Sequence, residues 1–139
     1  MMKMDTLVVY YSIFGNNEGI ATNIAQVNNF DIVEFNPGTF FRVFQFFMRK
    51  KRLGKKAKQL KTKNYNNLIV CGPIWAGKPA PAIIKLLENI GIQNKNISCN
   101  FTYTQDYGET ETQIADLIAK NGGISKEIVF WNIRNEMDA

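Results

Sequence analysis

The chain has 139 residues, 45% hydrophobic and 21% charged, with a formal net charge of +5, the composition of one folded domain and not of a disordered chain. It contains no histidine, which excludes Ser-His-Asp hydrolysis, Cys-His catalysis and histidine-built metal sites, and two cysteines are too few for a disulfide framework. No apolar run approaches the ~18 residues of a membrane span, and Leu7-Val8-Val9-Tyr10-Tyr11 is too short for a secretory h-region, so a metal-free, cytoplasmic single domain over residues 1–139 is expected.

In chain order, Thr6–Tyr11, Asp31–Phe35, Asn67–Gly72, Ile97–Tyr103 and Glu127–Trp131 are rich in Val, Ile, Tyr and Phe and read as strands. The first, third and fifth are nearly continuous apolar runs, as expected of central strands covered on both faces. Glu18–Asn28, roughly Phe40–Leu60, Ala80–Asn89 and Glu109–Lys120 read as helices between them. Pro79 and Pro81 suit a first helical turn, and Asn121-Gly122-Gly123 suits a helix stop. Regular strand–helix alternation predicts a three-layer α/β fold on a parallel sheet with right-handed crossovers. Few residues follow the fifth strand, so a covering C-terminal helix is expected to be missing or very short, and self-association through that exposed strand face, as a homodimer, is predicted.

Charge is unevenly distributed. The stretch from Arg42 to Lys63 holds ten of the seventeen basic residues and no acid, leaving seven basic against twelve acidic residues elsewhere, a net of −5. Phe40, Phe41, Phe44, Phe46 and Phe47 lie beside it. This pattern fits a helix with its Phe face on a sheet and its basic face in water, or a docking surface for an acidic protein partner or an anionic lipid surface. No nucleic-acid-binding motif accompanies the charge, so no nucleic acid is expected. Cys71 and Cys99 fall on the third and fourth strands and read as inert buried thiols.

In open parallel sheets, ligands bind outside the carboxyl ends of the strands. Three loops leave such ends here. Ser12-Ile13-Phe14-Gly15-Asn16-Asn17 combines small polar residues with a glycine and opens onto a helix N-terminus, which favours an anion such as phosphate. A plain helix cap reads equally well, and no Gly-Lys-Ser/Thr Walker signature is present. Pro73-Ile74-Trp75-Ala76-Gly77-Lys78-Pro79 places a large flat ring in a Gly/Pro loop. Thr104-Gln105-Asp106-Tyr107-Gly108 adds a second ring and several polar groups. A phosphate nest, a Trp and a Tyr on successive loops suggest a ligand with a phosphate tail and planar rings.

Val9-Tyr10-Tyr11-Ser12-x-x-Gly15-Asn16 resembles the phosphate loop of flavodoxins. Gly72-Pro73-Ile74-Trp75-Ala76-Gly77-Lys78-Pro79-Ala80-Pro81 is similar to the flavin-ring loop of short bacterial flavodoxin-like proteins. The Phe- and basic-rich connection after Phe40 resembles the same subgroup. This resemblance implies a five-stranded sheet in the order 2-1-3-4-5, non-covalent FMN binding and electron transfer to a redox partner protein. It assigns the phosphate to Ser12, Gly15, Asn16 and Asn17, the ring faces to Trp75 and Tyr107, and the ring edge to backbone around Ala76-Gly77 and Gln105–Gly108. A peptide flip at Gly77 would reach the flavin N5. Asp106, Glu109 and Glu111 would disfavour a negatively charged reduced flavin.

The family's phosphate loop carries more hydroxyls than this one, where Phe14 and Asn17 replace two of them. Two lost neutral hydrogen bonds of ~1 kcal/mol each predict phosphate binding weaker by on the order of 30-fold. Two alternatives to an electron-transfer flavoprotein stand beside it. One is an NAD(P)H-dependent FMN quinone or nitro reductase, and the other is a flavin-free interaction module of the same shape.

Overall fold

A computed structural model describes residues 5–12, 15–35, 62 and 64–133. Ile13, Phe14, the expected Phe40–Leu60 helix with nearly all of the basic stretch, and residues 134–139, where a terminal helix is expected to be missing or short, lie outside the described residues.

Val8 and Val9 are fully buried on β1 (Thr6–Tyr10), as are Leu68 and Val70 on β3 (Asn67–Trp75). Continuous apolar sequence places these two strands at the centre of the sheet, where both faces are covered. β1 pairs in parallel with β2 (Asp31–Glu34) on one side and with β3 on the other, Val8 lying opposite Ile69. β3 pairs in parallel with β5 (Asn96–Tyr103), and β5 with β6 (Ile124–Asn132), giving the order β2-β1-β3-β5-β6. With the two-residue β4 (Lys78–Pro79) left out, this is the predicted 2-1-3-4-5 order. The departure is β4, which pairs antiparallel with the end of β3 as a sixth strand.

Three described helices cover the sheet. α1 (Asn16–Asn28) brings Ala21 and Ala25 against Val8 and Cys71, small residues that let its backbone approach the strands closely. α2 (Pro81–Asn89) and α3 (Thr110–Lys120) bury Ile83, Leu86, Leu87, Ile114 and Ile118 in the larger cluster on the other face. Pro81 takes the first turn of α2, as expected, whereas Pro79 lies on β4, at a sheet edge where the missing N–H does no harm. α3 stops where predicted: Gly122 is left-handed (φ 84°), and the Gly123 N–H donates to the Ile118 carbonyl at 2.9 Å.

The fifth apolar run takes the edge position that the 2-1-3-4-5 order gives it, and not the central one that its apolar character alone suggests; as β6 it begins at Ile124, earlier than the expected Glu127. Ile128 and Phe130 pack on the core, while Ile124, Val129 and Trp131 are exposed. Among the described residues, no strand pairs with the outer side of β6. Also among them, no helix is long and apolar enough to cross a membrane.

Candidate functional site

The parallel strands deliver their carboxyl ends to one rim of the sheet, and a cleft of ≈ 250 Å³ opens there. Its walls are Ser12, Asn16, Asn17, Pro73, Ile74, Trp75, Ala76, Thr102, Tyr103, Thr104 and Ile133. Eight of these are residues that sequence reasoning singled out. None of the eleven is charged.

The first loop enters α1 two residues earlier than the sequence suggests. Gly15 is the N-cap, with φ 93°, and no side chain caps the helix. Asn16 and Asn17 are therefore its first residues, and their N–H groups belong to the set that no helical carbonyl can satisfy. The Gly15 N–H donates to Ser12 Oγ at 2.9 Å, which ties the loop back on itself and leaves the hydroxyl proton outside that bond. Asn17 is buried, and its Nδ2 donates to Thr102 Oγ1 at 2.9 Å. Its Oδ1 is buried too, and has no hydrogen-bond partner among the described residues. An orphaned buried acceptor costs about 1–3 kcal/mol. The other such atom among the described residues is Thr110 Oγ1 at the start of α3, which does not line the cleft.

The second loop is shorter than the sequence suggests. Pro73, Ile74 and Trp75 continue β3, and only Ala76 and Gly77 form the turn into β4. Both have positive φ, 53° and 77°, the geometry of a two-residue hairpin turn whose twist matches its strands. Trp75, expected to stand in a surface loop, is half-buried instead and meets Tyr11 edge-on, with ring centroids 6.3 Å apart. Ala80 closes the hairpin by donating its N–H to the Pro73 carbonyl at 3.0 Å.

The third loop divides. Thr104 lines the cleft, whereas Gln105, Asp106, Tyr107 and Gly108 are exposed beyond its walls. Asp106 Oδ1 accepts the Gly108 N–H at 2.9 Å, an Asx turn that shapes the loop. Tyr107 stacks on Phe130 of β6, with centroids 4.0 Å apart and planes 12° apart, and meets Tyr103 edge-on at 5.1 Å. The pairing of Trp75 with Tyr107 is therefore not on one cleft: Trp75 lines it, and Tyr107 is packed on β6.

Thr102, Tyr103 and Ile133 complete the cleft without having been singled out. The sequence reads Thr102 and Tyr103 as strand interior. A threonine at a carboxyl end, one residue before the polar loop, is the signal that could have found them. Ile133 is held by its N–H, which donates to the Tyr103 carbonyl at 2.9 Å.

No protein-family model matches the sequence, and no similar protein is found among the curated ones. Solved structures do match. A flavoprotein in complex with FMN from Lactobacillus acidophilus has a TM-score of 0.66 at 19% identity, with 97% of each chain covered. The two-electron reduced flavodoxin of Megasphaera elsdenii gives 0.61 at 15%, covering 91% of this chain and 85% of that one. A Fusobacterium nucleatum flavodoxin bound to flavin mononucleotide gives 0.57 at 18%, covering 88% and 70%. The fold is flavodoxin-like. In this flavodoxin-like frame the cleft occupies the rim where the sheet order turns back between β1 and β3, the position at which open α/β sheets take ligands.

Proposed function

We propose that this protein binds FMN non-covalently in the rim cleft and carries electrons to a redox partner protein. The observation that carries the reading is the junction of an uncapped helix N-terminus with an uncharged, Trp-lined cleft. Helix N-termini favour anions through unpaired N–H groups and the helix dipole. Ser12, Gly15, Asn16 and Asn17 would hold the phosphate, and one atom of the Asn17 amide, Oδ1 as placed, is left without a partner among the described residues. Trp75 would lie against the flavin ring, with Tyr103 on the same cleft. The Ala76-Gly77 turn and the Gln105–Gly108 loop would meet the ring edge. At ≈ 250 Å³ the cleft falls just below the ~300 Å³ at which small-molecule pockets begin, so a flavin nucleotide would be held by part of its surface. Bound there, FMN would supply one- or two-electron chemistry. The exposed carboxylates of Asp106, Glu109 and Glu111 would disfavour added negative charge nearby.

Electron carriage is tested against the reductase alternative by two measurements on FMN-loaded protein. Photochemical reduction followed by rapid reoxidation by an added protein acceptor, with no reduction by NAD(P)H alone, fits a carrier. Fast reduction by NAD(P)H overturns that role in favour of a reductase. The buried, unpaired thiols of Cys71 and Cys99 suit a reducing compartment, and on that ground we place the protein in the cytoplasm. We also place a second copy against the face of β6 on which Val129 and Trp131 are exposed, on a strand whose outer side pairs with no described strand.

A further inference from the structure

Asn17 joins two elements far apart in sequence. It is the second residue of α1, 3% exposed, and its amide reaches Thr102 on β5, 85 positions along the chain. Thr102 is itself 2% exposed, and both residues line the cleft. As placed, the amide donates to Thr102 Oγ1 through Nδ2 at 2.9 Å and leaves Oδ1 without a partner among the described residues. An asparagine amide turned by 180° exchanges oxygen and nitrogen at almost unchanged shape. A threonine hydroxyl donates as readily as it accepts. In the turned orientation Thr102 donates to Oδ1, and an Nδ2–H takes the orphaned position.

The surroundings decide between the two orientations when a ligand is present. The N-terminus of α1, capped by no side chain, favours an anion in front of it. A carbonyl oxygen facing that anion would repel it, whereas an amide N–H would bind it. Resting on the FMN reading above, we propose that Asn17 Nδ2 holds a phosphate oxygen and that Thr102 is the positioning residue that fixes the amide in this donating orientation. Preference for the phosphorylated flavin then resides partly on β5, outside the phosphate loop. Asn17 thereby takes over, through Thr102, the task of a hydroxyl that the loop lacks.

The test compares FMN with riboflavin, which has the same ring and no phosphate. The wild type is expected to bind FMN at least tenfold more tightly than riboflavin. Thr102→Val should weaken FMN about fivefold and riboflavin less than twofold, because one charge-assisted hydrogen bond is disturbed and the ring contacts are not. Thr102→Ser should restore FMN affinity to within twofold. Asn17→Asp keeps an acceptor for Thr102 but removes the N–H, and should weaken FMN more than tenfold while sparing riboflavin. Equal losses for both flavins, no loss in Thr102→Val, or failure of Thr102→Ser to restore binding would overturn the proposal and leave the FMN reading standing. Absence of binding of either flavin to the wild type would overturn both. If Thr102→Val fails to fold, Thr102→Ala, which also removes the hydroxyl, decides the question through the same FMN-to-riboflavin ratio.

Discussion

Gly77 and Gly108 meet backbone to backbone: a Cβ on Gly108 would stand 2.4 Å from the Gly77 carbonyl oxygen. The hairpin turn after β3 and the loop after β5 are thus locked against each other, and both residues need positive φ, 77° and 57°. Gly91 also has positive φ, 79°, but an added Cβ there would meet nothing within 4 Å. Gly91→Ala should cost only the left-handed backbone penalty, about 1 kcal/mol. Gly108→Ala should cost a further 1–3 kcal/mol, roughly the penalty of overpacking. Urea unfolding of the two variants measures the difference. On the proposed reading, Gly108→Ala also lowers FMN affinity about tenfold, and Gly91→Ala leaves it within twofold.

Trp75 and Tyr107 separate a ring-binding role from a packing role. Trp75→Ala should weaken FMN binding about tenfold and shift the visible absorption of the bound flavin, since aromatic pairs contribute ~0.5–1.5 kcal/mol beyond the area they bury. Tyr107→Ala loses the stack on Phe130 and should lower stability while changing FMN affinity less. Unchanged affinity and spectrum in Trp75→Ala would reject the stacking role.

The central strands were legible because burial on both faces demands uninterrupted apolar sequence, as in Leu7-Val8-Val9 and Leu68-Ile69-Val70. β6 shows the limit of that inference. Its apolar run reads the same, yet its inner residues Ile128 and Phe130 pack on the core while Val129 and Trp131 face solvent. An edge position is a property of the whole sheet, not of the strand. Within the cleft, Ser12, Asn16 and Trp75 were legible from loop composition. Thr102 was not, because its role depends on a partner 85 positions away. The hairpin at Ala76-Gly77 was hidden because Ala76 adopts a left-handed conformation (φ 53°) that its residue type does not announce.

The two thiols predict how stability responds to alkali. Burial pushes the Cys71 thiol up from 9.0 to about 12. Burial, and then the nearby Cys71, also push up Cys99. The folded protein therefore keeps protons that the unfolded chain releases. This stabilisation is fully present below pH ~8.5 and is lost as pH rises toward the folded values, at up to about 1.4 kcal/mol per pH unit for each thiol. Urea midpoints should fall between pH 8.5 and 10.5, and fall less in Cys71→Ala. An identical fall in that variant would assign the effect to other groups. Neither thiol should react with a disulfide reagent until the protein is unfolded.

Sedimentation tests the exposed face of β6. The wild type should form dimers at high micromolar concentration, and Trp131→Glu, which places charge on the exposed face of β6, should remain monomeric. A wild type that stays strictly monomeric would remove the second copy from the account.

Titration of the purified protein with FMN, followed by absorbance and flavin fluorescence, tests the central claim most directly. The account predicts saturable quenching at a 1:1 ratio, a micromolar or tighter dissociation constant and a structured visible spectrum, with riboflavin bound more weakly. FMN that keeps its free fluorescence and spectrum at high micromolar protein would contradict the account and turn attention to the open face of β6.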